Sequence, residues 1–67
     1  MKIIMEIKSS KLRELSAFLA EEYIEYDMSI SKAHNSIVKC TIDSYEFSQQ
    51  ICQWLQNSNI SYTLSDN

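Results

Sequence analysis

Apolar and polar side chains alternate from Lys2 to Lys8. Ile3, Met5 and Ile7 fall on one side; Lys2, Ile4, Glu6 and Lys8 fall on the other. A period of two puts successive side chains on opposite faces of a pleated ribbon, so this stretch predicts a strand. Ser9 and Ser10 follow as candidate N-caps, since a short hydroxyl side chain can accept from the first free helical N–H groups. Leu12, Leu15, Leu19 and Tyr23 then recur at helical spacing and predict a helix over residues 10–22. From Ile24 the period returns to two. Ile24, Tyr26, Met28 and Ile30 alternate with Glu25, Asp27, Ser29 and Ser31, which predicts a second, half-buried strand.

A turn is expected over Lys32 to Asn35, with Asn35 taking a positive φ in the absence of glycine. Ile37 to Ile42 predicts the third strand, with Val38, Cys40 and Ile42 on one face and Ile37, Lys39 and Thr41 on the other. Asp43 is expected to open a second helix, with Glu46 three residues on completing a capping box. Phe47, Ile51 and Leu55 form its apolar stripe, Trp54 flanks that stripe, and Asn57 is the expected left-handed terminator. Ile60, Tyr62 and Leu64 alternate with Ser61, Thr63 and Ser65 as a last strand.

The element order is therefore β-α-β-β-α-β. Each strand has one apolar face and two helices are available to cover it, which predicts a two-layer α+β sandwich formed by residues 1–67 as a single domain. Right-handed crossovers make the ferredoxin-like arrangement the leading topology: a four-stranded antiparallel sheet, order 4-1-3-2, with both helices on one face.

Composition narrows the function. The chain has no glycine, which excludes the usual phosphate-cradling loops, where the backbone must approach a ligand without a Cβ. The net charge of −3 argues against a phosphate-neutralising basic stripe, so no direct nucleic-acid binding is expected. Cys40 and Cys52 do not form a CxxC pair and His34 is the sole histidine, so no metal and no cofactor are expected. Ile3-Ile4-Met5 is too short for a signal peptide or a membrane span. A cytoplasmic location with reduced thiols follows as the expectation.

The sheet face left open by the helices offers a further test. An RNA-recognition motif shares this order of elements and stacks bases on aromatics of its two central strands. Lys2–Lys8 and Ile37–Ile42 contain no aromatic residue. A heavy-metal-associated domain needs a cysteine pair after its first strand, where Lys8-Ser9-Ser10 offers none. Ile4 and Ile37 are the apolar exceptions on this face. They are read either as scattered exposed residues or as the centre of a homodimer contact.

The helices carry the remaining candidates. Phe18 lies about 100° off the apolar stripe, with Glu14 and Glu22 one turn to either side and Glu21 nearby. An aromatic anchor in an acidic rim suits a basic, partly apolar partner. Trp54 borders an outer face of Gln49, Gln50, Gln53 and Gln56, whose amides are cheaper to desolvate than charges. Glu21, Glu22, Glu25 and Asp27 cluster at the helix-to-strand junction. Against each of these stands a plainer solvated surface. No nucleophile–base pair or pocket for a raised carboxylate pKa is legible, so an enzyme is not expected.

The leading expectation is a small non-enzymatic interaction module that binds and modulates or inhibits a larger protein or ribonucleoprotein with a basic surface. Partner-binding residues would be Glu14, Phe18, Glu21, Glu22, Glu25, Asp27 and Trp54. The frequent Ile, Ser, Asn, Lys and Tyr are common in AT-rich genomes, which associates the chain with phage- or plasmid-encoded inhibitors of nucleic-acid-targeting defence complexes. The alternative is a homodimeric regulatory domain, paired through Ile4 and Ile37, that binds a small ligand at the subunit interface.

Overall fold

A computed structural model of the chain describes residues 1–44, 46 and 48–65. The elements are β1 (Lys2–Lys8), α1 (Ser9–Glu21), β2 (Asp27–His34), β3 (Ile37–Asp43), α2 (Ser48–Asn57) and β4 (Tyr62–Ser65). All neighbouring strands are antiparallel, and the sheet order is β2-β3-β1-β4, which from the opposite edge reads 4-1-3-2. Ile3, Met5 and Ile7 of β1 and Cys40 and Ile42 of β3 share one buried cluster with Leu15 and Leu19 of α1 and Ile51 and Leu55 of α2. Because the β1 members of that cluster all project from one face, both helices contribute to the same apolar layer on that face.

Both helices end in the same hydrogen-bonded reversal. At the end of α1 the Tyr23 N–H donates to the Ala20 carbonyl at 3.2 Å and the Ile24 N–H to the Leu19 carbonyl at 3.1 Å. At the end of α2 the Asn59 N–H donates to the Gln56 carbonyl at 3.1 Å and the Ile60 N–H to the Leu55 carbonyl at 2.9 Å. These are Schellman motifs, in which the residue after the C-cap turns left-handed and the next returns an apolar side chain to the helix. With no glycine in the chain, Tyr23 (φ 54°) and Asn59 (φ 59°) take the left-handed positions.

Several sequence expectations change for this reason. Tyr23 does not extend the apolar stripe of α1. Its left-handed backbone swings the ring out to 90% exposure, and Ile24 takes the core position instead. Ile24 and Tyr26 lie in the connection rather than in a strand, because the Ile24 N–H is committed to the helix end, and β2 starts only at Asp27. Asn57 is the last residue of α2, and the positive φ falls two residues later.

Other boundaries shift as well. Ser9 is already helical: α1 leaves β1 without a loop, Lys8 is the cap with no side-chain bond, and the Ser9 N–H donates to the Ser36 carbonyl at 2.9 Å. β2 runs on through Lys32 to His34, with a register irregularity at Ala33. The turn is Asn35–Ser36, and Asn35 has φ 50° as expected. Asp43 does not open a helix; it continues the ladder opposite Lys2 and Asp27, and α2 begins at Ser48. The buried Ser44 hydroxyl instead organises the connection, donating to the Glu46 carbonyl with the Glu25 carbonyl at 3.5 Å. Phe47, expected in the second apolar stripe, lies outside the described residues.

The edges are less covered than alternation alone implies. Ile30 is opposite the buried Cys40 and Leu64 opposite the buried Ile3, so both are on the helix-side face. They remain 52% and 47% exposed, because they belong to the outer strands and the covering layer is centred on β1 and β3.

The reversals carry a stability prediction. Tyr23→Gly should raise unfolding stability by about 0.5–1 kcal/mol, since relief of a left-handed non-glycine residue outweighs glycine's extra chain entropy. Asn59→Ala should lower it by about 1 kcal/mol, and Ile24→Ala by about 2–4 kcal/mol as a core truncation. Urea titrations of the three variants check the ranking. A Tyr23→Gly midpoint below that of the parent chain would remove the strain account.

Candidate functional site

On each helix the residue just before the reversal leucine is aromatic: Phe18 precedes Leu19 and Trp54 precedes Leu55. One residue is about 100° of helical rotation. While the two leucines point into the core, both rings are therefore turned to the same side, off the sheet. Phe18 and Trp54 meet there, with ring centroids 5.7 Å apart and planes inclined by 24°. Both stay half-buried and pack against the core from outside. Offset stacking at this separation lies in the favourable range for aromatic pairs.

The stacked pair borders a shallow groove of about 310 Å³ between the helices, also lined by Glu22 from α1 and by Gln50, Gln53 and Asn57 from α2. Glu22 is placed by the reversal itself. It is the C-cap of α1, and its N–H donates to the Phe18 carbonyl at 3.1 Å. Gln53 Nε2 donates to Asn57 Oδ1 at 3.2 Å, which ties together two of the α2 side chains that line the groove. Among the described residues no basic side chain lines the groove.

Its electrostatics are one-signed. The last turn of α1 contains no basic residue, yet Glu21 and Glu22 stand at that end. The carboxyl end of a helix already carries partial negative charge, so two carboxylates there add to the field instead of balancing it.

The structure thus brings Trp54, which the sequence placed in a separate feature, to Phe18 and Glu22, which the sequence had already set side by side. It does not draw the other acidic residues into the groove. Glu14 is exposed and pairs with Lys11 at 3.2 Å. Glu21 is exposed at the helix end, and Glu25 lies exposed in the connection to β2. Asp27 is on the edge strand, directly opposite Asp43, rather than in a common cluster with the glutamates. Among the described residues no three His, Cys, Asp or Glu side chains gather as a metal site. Asn57 was not foreseen as part of the site, nor was the solvent display of Tyr23. The aromatic–leucine doublet repeated on both helices was the available signal.

The opposite, open face of the sheet reads differently from its expectation. Ile4 is opposite Thr41 and Ile37 opposite Lys8, with the Glu6–Lys39 row between them, so the two isoleucines do not adjoin. Lys39 is flanked by Glu6 and Ser31, while Asp27, the acidic residue of β2, stands opposite Asp43. A depression of about 500 Å³ on this face is lined by Ile4, Glu6, Lys39, Ser61 and Thr63 among others. Two of the three lysines on the central strands, Lys2 and Lys39, face an acid across the ladder, Asp43 and Glu6.

The thiols occupy two environments. Cys40 is fully buried in the core, and burial pushes its pKa up from an ordinary value of 9.0; Cys52 is half-buried on α2. His34 ends β2 in an exposed position. No helix among the described residues is long and apolar enough to cross a membrane.

Above pH 9.0 an unfolded Cys40 ionises while the folded thiol keeps its proton, so unfolding releases a proton and stability falls as pH rises. The decline should begin near that value, continue up to the raised folded pKa, and be weaker in Cys40→Ala. Thermal melts of both proteins across the alkaline range check this; equal slopes would refute it.

Compared with protein-family models, curated proteins and solved structures, the chain matches none of them.

Proposed function

We propose that the chain is a small non-enzymatic interaction module. Its inter-helix groove docks on a basic, partly apolar surface of a larger protein or ribonucleoprotein and modulates that partner. The layer behind the groove is a ferredoxin-like sandwich with right-handed crossovers, in which the sheet holds the two helices at a fixed spacing.

One observation carries this reading: the stacked Phe18 and Trp54 share with Glu22 a groove that no basic side chain lines among the described residues. Aromatic anchors in partly desolvated settings dominate binding energy in protein interfaces, while complementary charge around them sets the encounter rate. The amides of Gln50 and Gln53 add hydrogen-bonding capacity at a lower desolvation cost than further charges. The groove is small and open, which suits insertion of a few side chains better than enclosure of a reacting substrate. Lys2 and Lys39 each stand opposite an acidic residue in the ladder, so the open sheet face alternates in charge rather than forming a basic stripe, in keeping with a protein surface as the target instead of a nucleic-acid backbone. The separation of Ile4 from Ile37 leaves the homodimer alternative without a continuous apolar patch.

The test begins with affinity capture of a partner from native host lysate, followed by kinetics with the purified pair. Glu21→Lys combined with Glu22→Lys should lower the association rate by roughly tenfold, with the difference shrinking at high salt. Ser29→Lys, on the open face of the edge strand, should leave the rate unchanged. Equal association rates for the parent chain and the double reversal would sink the groove as the docking surface.

A further inference from the structure

The geometry points to an arginine side chain of the partner as the group that the groove receives. This rests on the docking role assigned to the groove above and specifies its ligand chemistry. Three features of the site select it.

The first is the charge. Glu22 lines the groove, Glu21 stands beside it in sequence, both sit at the negative end of α1, and among the described residues no basic side chain lines the site to neutralise them. A cation is the complement of that field. The second is the stacked aromatic pair. A guanidinium is planar, so it can lie flat against an indole or phenyl face and keep its edge free; an ammonium has no plane to stack. The third is the ring of oxygen acceptors. Glu22, Gln50 and Gln53 line the groove and each carries a side-chain oxygen able to accept, and a guanidinium presents five N–H donors in one plane towards such a rim. A volume of about 310 Å³ accommodates a single long side chain and the water around it.

The chain has one tryptophan, and it borders the groove, so the Trp54 indole N–H resonance reports the site alone. The full-length, isotope-labelled protein is titrated with N-acetyl-arginine amide, N-acetyl-lysine amide and N-acetyl-citrulline amide at one ionic strength. Citrulline keeps the planar shape and loses the charge. Saturable shifts of the Trp54 indole and the Gln50 and Gln53 side-chain amides are expected with arginine. Lysine should bind at least threefold more weakly, and citrulline should give no saturable shift. Glu22→Gln, an exposed position, should weaken arginine binding at least threefold while the remaining backbone resonances stay in place.

An equal response to citrulline, an equal response to lysine, shifts confined to the open sheet face, or no saturable response to arginine would each overturn the assignment. These outcomes are separable from failure of the docking role. If partner association still depends on Glu21 and Glu22 while arginine amide does not bind, only the guest is wrong. If association ignores the charge reversal, the docking role falls, whatever the small ligands do.

Discussion

At the end of each helix the chain must turn back to the sheet while the last carbonyls still lack intrahelical donors. The bonds from the Ile24 N–H to the Leu19 carbonyl and from the Ile60 N–H to the Leu55 carbonyl meet that need and fix the direction of the turn. Each spans five residues, starts at a fully buried leucine and returns an isoleucine to the core or its border. The register of the following strand is then constrained, because a strand side chain can only keep its face if the turn delivers it in phase. In a chain without glycine this depends on Tyr23 and Asn59 accepting a left-handed backbone.

The covering layer is narrow. Two helices of 13 and 10 residues bury the central strands β1 and β3 and leave the helix-side residues of the outer strands partly in water. Edge strands expose unpaired backbone groups and invite unwanted pairing. Here β4 is four residues long, and β2 carries Lys32 and a register irregularity beside Ala33, features that blunt an edge. A core this small leaves little stability to spare, which is why the aromatic contact between the helices matters to the fold as well as to any partner.

The same reversal that closes α1 also builds its surface. It sets Glu22 as the C-cap, one helical turn beyond Phe18, and so holds a carboxylate at the mouth of the groove while sending the Leu19 side chain the opposite way. Negative charge at a helix carboxyl end is locally unfavourable, and Glu21 and Glu22 have no basic neighbour in that turn to offset it. A local rule broken without compensation inside the chain is the pattern expected where a surface answers to something outside it.

The amino-acid sequence by itself determined the order of elements, the buried faces of β1 and β3, the helical stripes through Leu15, Leu19, Ile51 and Leu55, and the positive φ of Asn35. All of these rest on periodicity or on one residue's own backbone preference, which neighbours along the chain suffice to express. Only the tertiary structure decided that Tyr23 faces water while Ile24 is buried, that Ile30 and Leu64 stay exposed, that Asp43 belongs to a strand, and that Phe18 and Trp54 share one groove with Glu22. Those outcomes depend on where the helices stop over the sheet and on which carbonyl captures which N–H. That is a competition between segments distant in sequence, and alternation within any one segment carries no record of it.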